Sequence, residues 1–193
     1  MLRPFYDWTL RIAADRRADW WLALVSFVES SVFPIPPDVM IVPMVLADRS
    51  RAWRVATVAT IASVLGGLAG YAIGYLFFDT LGQPILDLYG YADKFASFSA
   101  SYNAWGAWIV FGAGLTPFPY KVITIASGVT QLDLLVFTIA SVVARGMRFF
   151  AVAGLLWWFG PPIRRFIEKY LGLLTFAFFA LLIGGFVALR YVF

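Results

Sequence analysis

Apolar residues fill most of this chain in blocks too long for strands, and the interruptions between the blocks carry the information. Residues 55–78, 134–159 and 171–189 each reach the roughly 20 predominantly apolar residues that a membrane-spanning helix needs, and the first and third hold no charged residue. Two further stretches are broken by proline. Residues 20–35, with Pro34 near their end, meet Pro36, Pro37 and Asp38 before the run resumes over 39–47; residues 104–115 meet Thr116, Pro117, Phe118 and Pro119 before it resumes over 122–129. Proline removes a backbone donor and clashes with the preceding turn, so a helix must break at both places. Broken backbone at membrane depth is tolerated only where protein or a water-filled cavity covers it. The pattern therefore predicts two re-entrant helix pairs, each entering and leaving on one side, together with three spanning helices.

Two shorter segments alternate differently. Over residues 5–19, Phe5, Trp8 and Ile12 share one helical face while Asp7, Arg11, Asp15, Arg16 and Arg17 fill the rest, the pattern of a helix lying in the membrane interface. This N-terminus has no short apolar core with a small-residue cleavage site, so no cleaved signal peptide is expected. Residues 85–102 repeat the interfacial pattern, with Ile85, Leu88, Tyr89, Phe95 and Phe98 as the apolar face. Loop charges set the orientation. Arg49, Arg51 and Arg54 precede the first span, and Arg164, Arg165 and Lys169 follow the second, whereas the 79–103 connection carries Asp79, Asp87, Asp93 and only Lys94. The positive-inside rule places the two basic groups in the cytoplasm and the acidic connection outside. The N-terminus then lies in the cytoplasm, the C-terminus outside, and the two re-entrant pairs open to opposite sides.

The chain also repeats itself. "PIPPDVMI" at 34–41 aligns with "PFPYKVIT" at 117–124, matching Pro34 with Pro117, Pro36 with Pro119 and Val39 with Val122, and setting Asp38 opposite Lys121. Each copy is preceded by an interfacial segment and followed by a spanning helix. The expected architecture is one all-α membrane domain over 1–193: repeat 1 at about 1–78, repeat 2 at about 84–160 in inverted orientation, and a C-terminal helix at about 164–190. Inverted repeats with discontinuous helices meeting near the midplane are characteristic of secondary transporters.

Composition narrows the chemistry. At 62% hydrophobic residues the chain lies far above the soluble average of about 45–50%. It contains no cysteine and no histidine, which removes disulfides, thiol and imidazole catalysis, haem ligation and the common zinc sites. No cofactor and no metal are expected, and an enzyme is disfavoured. The net charge of +4 sits in short clusters beside apolar runs and reads as a topology signal, not as a nucleic-acid surface.

A few charges fall where lipid-level helices are expected. An ionised side chain near the bilayer centre costs about 2.5–3.5 kcal/mol on insertion scales, so Glu29, Asp38, Lys121, Arg145 and Arg148 each need a partner. Thr138, Ser141, Arg145 and Arg148 recur at i, i+3, i+7 and i+10, on one face of the second span. That stripe, with Lys121, is the expected substrate-binding surface. Glu29 and Asp38 are the expected counter-ions, with protonation as a route for coupling. Arginine suits a phosphate because its planar fork donates in pairs and stays charged. Gly66, Gly70 and Gly74 form a small-residue row on the first span, expected to pack against a neighbouring helix.

Glu29-Ser30-Ser31, "FPIPPD", the Gly66/Gly70-Tyr71/Gly74 span, "GLTPFPYKVITIASG" and "ARGMRFF" resemble the DedA superfamily of bacterial membrane proteins, also called the VTT or SNARE-associated domain family, in its YqaA-like branch. The resemblance covers nearly the whole chain. It implies a bacterial inner-membrane protein with two opposed re-entrant loops and lipid-moving activity: flipping of an undecaprenyl-phosphate carrier in some members, phospholipid scrambling in eukaryotic relatives. The membrane acids and arginines on which such members rely map to Glu29, Asp38, Arg145 and Arg148.

The leading expectation is a flippase of an anionic, phosphate-bearing lipid with proton coupling through the carboxylates. The runner-up is an ion-coupled carrier of a small solute or cation, which would use the same carboxylates without a phosphate clamp. From another class comes a non-transporting membrane scaffold, in which the charges only fix the fold. The expected partners are the lipid and protons, with a homodimer as one admissible assembly and no nucleic acid.

Overall fold

The computed structural model describes residues 17–32, 36–116, 118–160 and 162. The described residues are almost entirely helical. In chain order they form α1 (Ala18–Ser31), α2 (Asp38–Ala47), a single 3-10 turn at Arg49–Arg51, α3 (Ala52–Phe77), a π-helical turn at Phe78–Gly82, α4 (Gln83–Tyr89), α5 (Ala92–Leu115), α6 (Tyr120–Val129) and α7 (Leu134–Gly160). Among them, α3 with its preceding 3-10 turn and α7 are long and apolar enough to cross a membrane.

The predicted breaks hold. α1 ends at Ser31, and α2 begins after Pro37, whose carbonyl accepts the amides of Met40 and Ile41. α5 ends at Leu115, and α6 begins after Pro119, whose carbonyl accepts the Val122 amide. In each case a proline occupies the position just before the first turn, where its missing N–H removes no helical bond. Pro43 lies inside α2 without ending it. Pro34, Pro117, the segment 5–16, the basic loop 164–169 and the expected C-terminal span 171–189 lie outside the described residues.

Two expectations are corrected. Asp19 does not close an interfacial helix; it lies in the first turn of α1 and pairs with Arg51 at 2.6 Å and Arg54 at 2.7 Å. It thereby ties the start of α1 to the start of α3. The interfacial helix 85–102 and the first arm 104–115 are not separate either. Gly90, with φ +67, and Tyr91 interrupt the chain there, and α5 then runs unbroken through Asn103. Ser97 and Ser101 return their hydroxyls to carbonyls four residues earlier, so these two polar residues satisfy themselves within a continuous helix. Between α2 and α3, the Ser50 hydroxyl and then the Ser50 amide donate to the Asp48 carboxylate and hold it below the usual carboxylate range.

Helix approach is set by small residues. A Cβ on Gly66 would collide with the carbonyl of Phe27 in α1, one on Gly70 with the Thr124 side chain of α6, and one on Gly74 with the carbonyl of Ile125 in α6. Gly128 reciprocates from α6, where a Cβ would meet the carbonyl of Tyr71. α3 therefore touches both broken helices through backbone, as small-residue rows permit. Ala18, Leu22, Ser26 and Ser30 form the buried stripe of α1, while Trp20, Leu24 and Phe27 are exposed.

The interior divides into two apolar clusters. One joins α1, α2, the first half of α3 and the last half of α7, around Leu22, Ile41, Val45, Val55 and Phe149. The other joins α5, α6 and the first half of α7, around Tyr102, Val110, Tyr120, Leu132 and Phe137. Large exposed apolar side chains such as Ile61, Leu65, Ile139, Val143 and Leu155 cover the outer faces of α3 and α7, a surface suited to hydrocarbon and costly in water.

Candidate functional site

The charged residues collect where the two apolar clusters meet. On α7, one helical turn separates Arg145 from Arg148, and both reach back to the first half of the chain. Arg145 Nη2 donates to Glu29 Oε2 of α1 at 2.7 Å, and Arg148 Nη2 donates to Asp38 Oδ2 at the start of α2 at 2.6 Å. Glu29 sits two residues before the end of α1, and Asp38 is the first residue of α2. The proline break therefore presents both carboxylates from opposite sides of one interruption to arginines on one helix.

The two pairs have different surroundings. Arg145 is 1% exposed. Its Nε donates to Ser63 Oγ of α3 at 2.6 Å, and its guanidinium lies over the rings of Tyr120 at 4.8 Å and Phe149 at 4.6 Å. Ser63 and Ser30 hydroxyls lie 2.7 Å apart, and Ser30 Oγ donates to Glu29 Oε2 at 3.0 Å. Desolvating an ion pair is costly unless the remaining donors and acceptors are met, and here the hydroxyls and the aromatic faces meet them. Arg148 and Asp38 keep 18% and 27% of their side chains exposed. Arg148 Nη1 donates to the Thr116 carbonyl at 2.8 Å, at the end of α5. Asp38 Oδ1 is buried and has no donor among the described residues.

The second break faces the first. Lys121 Nζ donates to the Val32 carbonyl at 3.2 Å, capping the C-terminal end of α1, where a cation is favoured. The Thr124 hydroxyl lies 3.2 Å from the Ser30 carbonyl and 2.9 Å from that of Lys121. α1 and α6 thus touch through their ends, and Lys121 serves a helix terminus here.

Of the stripe expected on α7, Arg145 and Arg148 face the carboxylates. Ser141 is buried and accepts the Tyr120 hydroxyl. Thr138 returns its hydroxyl to the Leu134 carbonyl at 2.7 Å and makes no contact with the charged cluster among the described residues. Four contributors escaped the sequence reading: Ser63, Tyr120, Phe149 and the carbonyl of Thr116. Ser63 had a signal, since it lies three and seven residues before Gly66 and Gly70, on the face that α3 presents to its neighbours. The aromatic rings and the carbonyl had none.

The VTT domain family model matches residues 35–157, from the break before α2 to the last turn of α7, and so spans Asp38, Ser63, Lys121 and both arginines. An uncharacterized protein of Haemophilus influenzae is 41% identical over 167 residues, 84% of this chain and 86% of that protein. An uncharacterized HI0703 homologue of Histophilus somni is 38% identical over 167 residues, 84% of this chain and 87% of its own length. No solved structure gives a significant match. With the family match covering well over half of the chain and running through the charged cluster, the chain belongs to the VTT domain (DedA) family of membrane proteins.

Proposed function

We propose that this protein moves an anionic, phosphate-bearing lipid, such as undecaprenyl phosphate or a phospholipid, across the bacterial inner membrane, with Glu29 and Asp38 as coupling carboxylates. The observation that carries the reading is the placement of two carboxylate–arginine pairs at a proline break between apolar clusters. Intramembrane charges are expensive to keep and tend to mark substrate or proton pathways. A partly exposed guanidinium beside broken backbone is suited to a phosphate oxygen. The proposed architecture is the inverted repeat, with the N-terminus cytoplasmic, the C-terminus external and the two broken helices meeting at the site. The reading includes no bond-making step and no cofactor.

A second reading, an ion-coupled carrier of a cation, draws on one observation: Asp38 Oδ1 is a buried acceptor without a donor among the described residues. Reconstitution into liposomes with labelled phosphate-bearing lipids, with and without a pH gradient, tests both. Gradient-dependent lipid movement supports the coupled flippase. Movement that ignores the gradient supports passive scrambling, and cation flux without lipid movement supports the second reading. Neither flux would leave a scaffold.

A further inference from the structure

The two ion pairs are not equivalent, and the direction of the hydrogen bonds says why. Arginine Nε only donates, so Ser63 Oγ accepts at 2.6 Å. The Ser63 hydrogen is then free for Ser30 Oγ at 2.7 Å, and the Ser30 hydrogen goes to Glu29 Oε2 at 3.0 Å, where Arg145 Nη2 also arrives at 2.7 Å. The ring Arg145–Ser63–Ser30–Glu29 closes on itself, with each hydroxyl donating once, and Ser30 Oγ lies a further 3.5 Å from Arg145 Nη2 as a long second acceptor contact. Tyr120 and Phe149 cover the guanidinium. A phosphate reaching Arg145 would have to break this ring and displace an aromatic side chain in a dry site. Arg148 has no such enclosure: it keeps 18% of its side chain exposed, and one of its two bonds goes to a main-chain carbonyl at a helix break.

We infer that Arg148 with Asp38 is the exchangeable pair that takes the lipid phosphate, and that Ser63 and Ser30 are positioning residues whose hydroxyl bridge locks Arg145 onto Glu29 and keeps it out of phosphate contact. The identity of the anion rests on the function proposed above; the lock does not. An incoming phosphate oxygen replaces the Thr116 carbonyl or the Asp38 carboxylate on Arg148, trading one acceptor for a doubly donated, charge-assisted contact. Arg145 remains the fixed countercharge of Glu29 throughout.

The test is site-resolved modification of arginine by phenylglyoxal, read by peptide mass spectrometry on the full chain in phosphatidylcholine vesicles. Arg148 is expected to react while Arg145 stays protected. Ser63→Ala should open Arg145 to modification by roughly tenfold or more, the change that loss of one hydrogen bond to a charged group makes in an opening equilibrium. Ser63→Thr, which keeps the hydroxyl, should restore protection. Ser30→Ala breaks the bridge one link away and gives an independent opening should Ser63→Ala fold poorly. Arg145 reacting as fast as Arg148 in the unaltered protein, or staying protected in both alanine variants, would overturn the lock. Phosphatidic acid added to the vesicles should slow modification of Arg148 alone. If it slows neither arginine while the lock behaves as described, the phosphate assignment of Arg148 falls and the lock stands.

Discussion

Arg145 of α7 holds Glu29 of α1 at 2.7 Å, with the arginine almost wholly withdrawn from its surroundings by two aromatic rings and the glutamate anchored by its neighbour Ser30. A buried ion pair of this kind resists the loss of one partner far more than the loss of both, because a single removal leaves an uncompensated charge. Arg145→Gln or Glu29→Gln alone is therefore expected to cost about 3–5 kcal/mol, and the double replacement to recover most of it. Thermal unfolding of the three variants in detergent checks this. Additive losses would mean that the pair contributes no mutual stabilisation.

Arg148 makes a contrasting forecast. Its pair with Asp38 is more exposed than the Arg145–Glu29 pair, so Arg148→Gln should lower the melting temperature less than Arg145→Gln does. Transport should suffer, through a raised half-saturation for the phosphate-bearing lipid, with Arg148→Lys recovering part of it as a point charge without the planar fork. Lipid-concentration series in proteoliposomes measure this. A large drop in melting temperature with unaltered half-saturation would make Arg148 a structural residue.

The glycines of α3 and α6 give a stability series with an internal control. Gly66→Ala, Gly74→Ala and Gly128→Ala each drive a methyl into a backbone carbonyl of another helix and should cost about 1–3 kcal/mol. Gly112→Ala in α5 meets nothing within 4 Å and should be neutral or stabilise by roughly 0.5–1 kcal/mol through helix propensity. Equal effects at Gly66 and Gly112 would contradict the close approach of α1 and α3.

The chain contains no cysteine, so single cysteines report topology without background. Arg54→Cys, in the first turn of α3, should label from the cytoplasmic side, and Asp93→Cys, in the first turn of α5, from the outside. Both positions are exposed. Labelling of both from one side would remove the inverted arrangement.

Much of this site could be read from sequence because proline, glycine and charge act locally. Pro36, Pro37 and Pro119 stand in proline clusters that stop a helix, as the lone Pro43 inside α2 does not, and charges at lipid depth must find each other, which made the meeting of Arg145 and Arg148 with Glu29 and Asp38 foreseeable. The internal match set Lys121 opposite Asp38, yet Lys121 turned to the end of α1, a choice decided by where that helix stops. The continuity of α5 through Asn103 was not legible, since amphipathic character over 85–102 does not say whether the following apolar run begins a new helix. Thr138 shared a helical face with the arginines by period alone, and its hydroxyl had a nearer acceptor in its own backbone. The enclosure of Arg145 by Ser63, Tyr120 and Phe149 draws on three elements distant in sequence, and only packing brings them together.

Transbilayer movement of labelled phosphatidic acid in proteoliposomes, compared between the unaltered protein, Arg148→Gln and protein-free vesicles, tests the central claim most directly. The account predicts protein-dependent movement that Arg148→Gln abolishes at subsaturating lipid while Gly112→Ala retains it. Movement no faster than in protein-free vesicles, or undiminished in Arg148→Gln, would contradict it.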